Sequence, residues 1–132
     1  MLKDIKERKD IRLLVHTFYD IIRKDSLLGP IFNSHIKKEQ WPAHLEKLTD
    51  FWVTALFGEA CFKGNPTLAH RTVDKNLNHT IAASHFEHWV SLWHTTIDSL
   101  FEGNLANRAK MASENMAAGQ FNAICTMRNT AS

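Results

Sequence analysis

Apolar residues that return every three or four positions, in four separate stretches, confine this chain to a helical fold. Ile11, Leu14, Val15, Phe18 and Ile22 form the first stripe, a spacing that puts all five on one helix face. Asp10 stands where a cap is expected, and Gly29-Pro30 where the helix should stop. A second stripe runs Trp41, Leu45, Leu48, Trp52, Ala55 and Leu56. Pro42 is tolerated in its first turn, where no N–H is needed, and Gly58 suits its end. Ser84 and Glu87 have capping-box spacing ahead of Phe86, Trp89, Val90, Trp93, Ile97 and Leu100, a run that Gly103-Asn104 breaks. An Ala- and Met-rich segment from Leu105 through Ala109, Ala112 and Met116 to Ile124 completes the set. No alternating run argues for a strand, so the fold class is all-α.

With 132 residues, 44% of them hydrophobic, the chain is expected to be a single domain, 1–132, with a real core. Sixteen basic residues against fourteen acidic leave a net charge of only +2, which argues against nucleic acid or an anionic membrane as partner. No apolar stretch approaches the roughly 18 residues of a spanning helix. The opening MLKDIKERKD is charged where a signal peptide would be apolar. Cys61 and Cys125 lack a CxxC pairing and suit a reducing compartment. These features together predict a cytoplasmic protein.

Between Gly58 and Ser84 lies a long, weakly periodic connection, GEACFKGNPTLAHRTVDKNLNHTIAA. Loops of this length in a compact domain are often functional. A plain four-helix bundle gives no reason for it, nor for the polar Tyr19 and His44 beside two apolar stripes. Eight histidines are present, but no HExxH, paired CxxC or Gly-rich phosphate loop. His85, His88 and His94 share one predicted helix and are the candidate set for a non-haem metal. Haem asks for something else: one neutral imidazole on the iron and apolar surfaces on both sides of the macrocycle. His70, after Pro66-Thr67-Leu68, lies on a short irregular segment that suits such a ligand.

The chain resembles the truncated haemoglobins, most closely the third group, over nearly its whole length. The matching runs are TFYDIIRKD (17–25), GPIFN (29–33), WPAHL (41–45), DFW (50–52), GNPTLAH (64–70) and HFEHW (85–89). The resemblance implies a truncated globin, a two-over-two helical sandwich of helices 10–25, 39–57, 84–102 and 105–127 enclosing haem b (iron protoporphyrin IX). It implies His70 as the proximal ligand of the haem iron, in preference to His79, whose surroundings do not match. Phe32 corresponds to a phenylalanine packed on the porphyrin, and Tyr19, His44 and Trp89 to the distal polar trio.

The chemistry of that trio is sensible. A phenolic O–H and an indole N–H in a low-dielectric pocket stabilise a ligand that carries partial negative charge. His44 is open to three roles: bonding the ligand, gating the pocket or ligating the iron. Lys47, one turn on, is a candidate propionate partner; Leu48, Phe51, Trp52, Phe86 and Trp93 are candidate walls. The function implied is binding of dioxygen, nitric oxide or carbon monoxide at a His-ligated iron, with a reductase keeping the iron ferrous. Detoxification of peroxide or nitric oxide in the same pocket is the enzymatic alternative. A haem-free helical sensor or adaptor is the third.

Overall fold

A computed structural model describes residues 2–58 and 83–131, with side chains to residue 119. The connection 59–82 lies outside the described residues, and with it His70, His79 and the 64–70 run. The elements are α1 (Arg8–Lys24), α2 (Gly29–His35), a single 3-10 turn (Lys38–Gln40), α3 (Trp41–Phe57), α4 (Ala83–Leu100) and α5 (Asn104–Ala131). Among the described residues there is no strand.

The first stripe folds as its spacing predicts, with Ile11, Leu14, Val15, Phe18 and Ile22 fully buried. Both ends of α1 differ from what spacing alone predicts, although the far end falls within one residue of the 10–25 that the resemblance implies. Glu7 is the N-cap, and Asp10, one turn inside, reaches back to accept from the Lys6 and Glu7 amides at 3.0 and 3.1 Å. At the far end the helix stops at Lys24 rather than near Gly29-Pro30. The Asp25 carboxylate turns the chain by accepting from the Leu27 and Leu28 amides at 3.0 and 2.9 Å. Gly29-Pro30 then opens α2 instead of closing α1, with proline in the first turn, where it suits helix entry.

In α3 the expected Ala55 is exposed and Val53 is buried in its place. Trp41, Thr49, Trp52, Val53 and Leu56 face the core, while Leu48 and Phe51 form a second, half-buried flank that continues from His44. Gly58 closes α3 with φ 74° and donates its N–H to the Thr54 carbonyl. Helix α4 has begun by Ala83, so Ser84 stands in its first turn and not at its cap.

Helix α1 packs on α3 and α4 on α5, and the two pairs meet through α1–α4 and α3–α5 contacts. That is a two-over-two arrangement. The N-terminal segment closes it, with Ile5 in the core and the Asp4 carboxylate accepting from the Leu105 and Ala106 amides at the start of α5. An anion there suits the positive end of the helix dipole.

Candidate functional site

Tyr19 follows Phe18 on the buried face of α1 and is 5% exposed. A phenol in such a place needs a partner, and Trp89 on α4 supplies one. Indole nitrogen can only donate, so the Trp89 N–H gives to the Tyr19 oxygen. The phenolic proton is left as the donor the group still has to offer. Burial pushes the Tyr19 pKa up to about 12, partly offset by the bond from Trp89. Tyr19 is therefore neutral at every physiological pH.

Three further rings reach Tyr19 from α2 and α3. Phe32 lies edge-on at 5.9 Å between centroids, Trp41 tilted at 6.0 Å and His44 edge-on at 6.4 Å. His44 also meets Trp41 edge-on at 5.5 Å. Burial, and then the charge of Lys47, pull the His44 pKa below its ordinary value, which leaves a neutral imidazole beside the phenol. Tyr19, Phe32, His44 and Trp89 thus converge from four helices. Trp41 is the residue that sequence reasoning placed only in a stripe. Its position three before His44 was the signal that it shares that face. The Arg23 guanidinium covers its ring at 4.6 Å.

Behind Trp89 the core is a file of indoles. Trp89 and Trp93 lie parallel within 9° at 5.9 Å, and Trp93 and Trp52 stack at 4.6 Å. Trp93 and Trp52 are 0% and 2% exposed, and the Trp93 N–H donates to the Ala109 carbonyl at 3.2 Å. Both are interior residues. Burial falls toward the start of α4, where Phe86, Trp89 and Val90 are half-buried. Lys47 is exposed, on the same helix as half-buried Leu48 and Phe51.

The three histidines of α4 are not gathered into a site. His88 pairs with Asp25 at 2.7 Å, whereas His94 contacts the Lys110 carbonyl at 3.3 Å and Glu114 at 3.4 Å. Among the described residues no three His, Cys, Asp or Glu side chains are placed to hold a metal ion. None of the helices described is long and apolar enough to cross a membrane.

No protein-family model matches the chain. The crystal structure of group III truncated hemoglobin from Campylobacter jejuni matches it with a TM-score of 0.83 and 27% identity, over 94% of this chain and 95% of that one. Group 3 truncated hemoglobin ctb, from the same organism, is 30% identical over 102 residues, 76% of each chain. The chain belongs to the group 3 truncated haemoglobins.

The arrangement fits a truncated haemoglobin's prosthetic group on its own terms. A flat apolar macrocycle needs half-buried rings to lie against, and Phe32, Phe51, Phe86 and Trp89 are such rings. A polar ligand on its iron needs a donor shielded from water, and the Tyr19 hydroxyl is one.

Proposed function

We propose that this truncated haemoglobin binds haem b, with His70 on the iron, and takes dioxygen, nitric oxide or carbon monoxide on the side of Tyr19, His44 and Trp89. One observation carries the reading: a phenol only 5% exposed, ringed by Phe32, Trp41 and His44, which burial keeps protonated and so able to donate. When bound, haem supplies an iron that takes up a diatomic gas reversibly. With haem present, Tyr19 would donate its O–H to the bound gas, and the Trp89 N–H, by occupying the phenol oxygen, would leave that proton for the ligand. His44, neutral, shields the phenol and offers a second polar contact. Phe32, Leu48, Phe51 and Phe86 hold the macrocycle and keep water out, with Trp52 and Trp93 backing the wall. Lys47, exposed on α3, would be the partner for a propionate. The spacing of Cys61 and Cys125, without a CxxC pairing, suits a reducing, cytoplasmic setting, in which a reductase would serve as electron donor.

Visible spectra of ferric, ferrous and carbon-monoxide-bound protein test the core of this reading. Wild type is expected to show a Soret band, and His70→Gly to lose haem retention. Native iron ligation surviving in His70→Gly overturns the proximal assignment. Tyr19→Phe is expected to release dioxygen ~10- to 100-fold faster, since a lost bond to a partly charged acceptor is worth about 1.5–3 kcal/mol.

The lowered His44 pKa supports a second reading, detoxification of peroxide or nitric oxide. A neutral imidazole beside the ligand can take a proton from peroxide as a general base. His44→Leu is expected to slow peroxide turnover under that reading. Wild-type turnover no faster than free haem removes it.

A further inference from the structure

The half-buried start of α4 carries Trp89, yet apolar packing there is thinner than further along, where Trp93 and Ile97 are fully buried. A polar tie supplements it. Asp25, just past α1, directs one carboxylate oxygen at His88 Nε2, 2.7 Å away. Its other oxygen accepts from the Leu27 and Leu28 amides, and its main-chain carbonyl accepts from Gly29 at 2.9 Å. The Asp25 side chain is only 14% exposed.

This carboxylate is held in place before His88 reaches it, and a bond to a charged acceptor is stronger than one between neutral groups. One side chain therefore joins the three elements that bring Tyr19, Phe32 and Trp89 to the site. Burial alone would raise its pKa, but His88 and the two amides outweigh that and keep it below the usual carboxylate value. Among the described residues the pair's hydrogen bonds run between the two side chains and to the backbone of the α1–α2 turn, so it acts on the site through the helix it anchors.

We propose that Asp25 and His88 are positioning residues: their contact fixes the first turns of α4 against the α1–α2 turn and so holds the Trp89 indole on the Tyr19 hydroxyl. The proposal rests on the reading of Tyr19 as the ligand's donor, but the placement of Trp89 is measurable without haem chemistry. Tyr19 is the chain's single tyrosine, so phenolate absorbance reports on this position alone.

The test compares full-length wild type, His88→Leu and His88→Gln. Leucine keeps the bulk without a donor, and glutamine keeps an amide donor for Asp25. In a stopped-flow pH jump, read before the chain unfolds, the wild-type phenolate midpoint is expected near 12. Loss of the Trp89 bond by itself raises the midpoint, but burial is the larger influence, so water admitted to the loosened site should bring His88→Leu down toward 10, while His88→Gln stays with wild type. A His88→Leu midpoint equal to wild type, or a fall as large in His88→Gln, overturns the pair. After haem loading, His88→Leu is expected to release dioxygen about fivefold faster, the effect of roughly 1 kcal/mol. A lowered midpoint with unchanged release overturns the distal role of Tyr19 and leaves the Asp25–His88 pair standing.

Discussion

Tyr19 is readable in the sequence as a polar residue beside an apolar stripe, but its partnership with Trp89 is not. The two are joined only because α1 and α4 cross where they do, and no local spacing encodes a contact between positions so far apart. The contact has a pH signature. Burial raises the phenol from its ordinary value of 10.0 to about 12, so the folded state holds that proton more tightly than the unfolded chain. The resulting stability is fully present below pH 10 and is lost as pH rises through 12. Urea unfolding at a series of alkaline pH values should show the loss in wild type, and Tyr19→Phe should lack that part of it; identical curves would contradict the burial. Trp93 invites the opposite kind of test. Its indole is enclosed and its N–H satisfies a carbonyl of α5, so Trp93→Ala should cost about 3–5 kcal/mol in unfolding free energy. Trp93→Phe keeps most of the packing and forfeits one hydrogen bond to a carbonyl inside α5, for about 0.5–1.5 kcal/mol.

Helices were legible as elements because their stripes are long, and their ends were less so because caps are built by single side chains. The Gly29-Pro30 pair carries a stop signal and a start signal at once. Asp25, which ends α1 early by capturing two amides, decides between them. The same corner explains why glycine stands at 29. A β-carbon there would lie 2.8 Å from the Arg23 carbonyl oxygen and 3.3 Å from that of Ile22, both backbone atoms with little room to yield. Gly29→Ala should therefore push α2 off the end of α1 and cost about 1–3 kcal/mol, as overpacking does. Gly58 differs: its φ of 74° favours glycine, but nothing lies within 4 Å of an added β-carbon. Gly58→Ala should cost only about 1 kcal/mol of backbone strain. Thermal unfolding of the two variants side by side checks the ranking. Between α1 and α3, Arg8 binds Glu46 and Asp50, and Arg12 also reaches Glu46. These side chains are 30–48% exposed, so Glu46→Gln should cost well under about 1 kcal/mol, and less in high salt.

Taken whole, the two-over-two packing follows from four amphipathic helices, yet those helices do not close over all their own apolar surface. Resemblance to known globins, rather than periodicity, is what turned that surface into an expected haem site, because a half-buried ring has the same spacing whether it faces a cofactor or solvent. The helix pairs are tightest around Trp52, Trp93 and Ile97, whereas Phe32, Phe51, Phe86 and Trp89 stay half-buried. A ligand that covers such rings in the folded chain, and finds no equivalent surface in the unfolded one, must stabilise the fold by mass action. The gain is about 4 kcal/mol when free ligand exceeds its dissociation constant a thousandfold. Adding haem to the haem-free protein should thus raise the urea midpoint in proportion to the logarithm of free haem concentration. His70→Gly should lose most of that rise while the haem-free midpoint stays near wild type. A midpoint indifferent to haem would mean that these rings serve another purpose than holding a macrocycle.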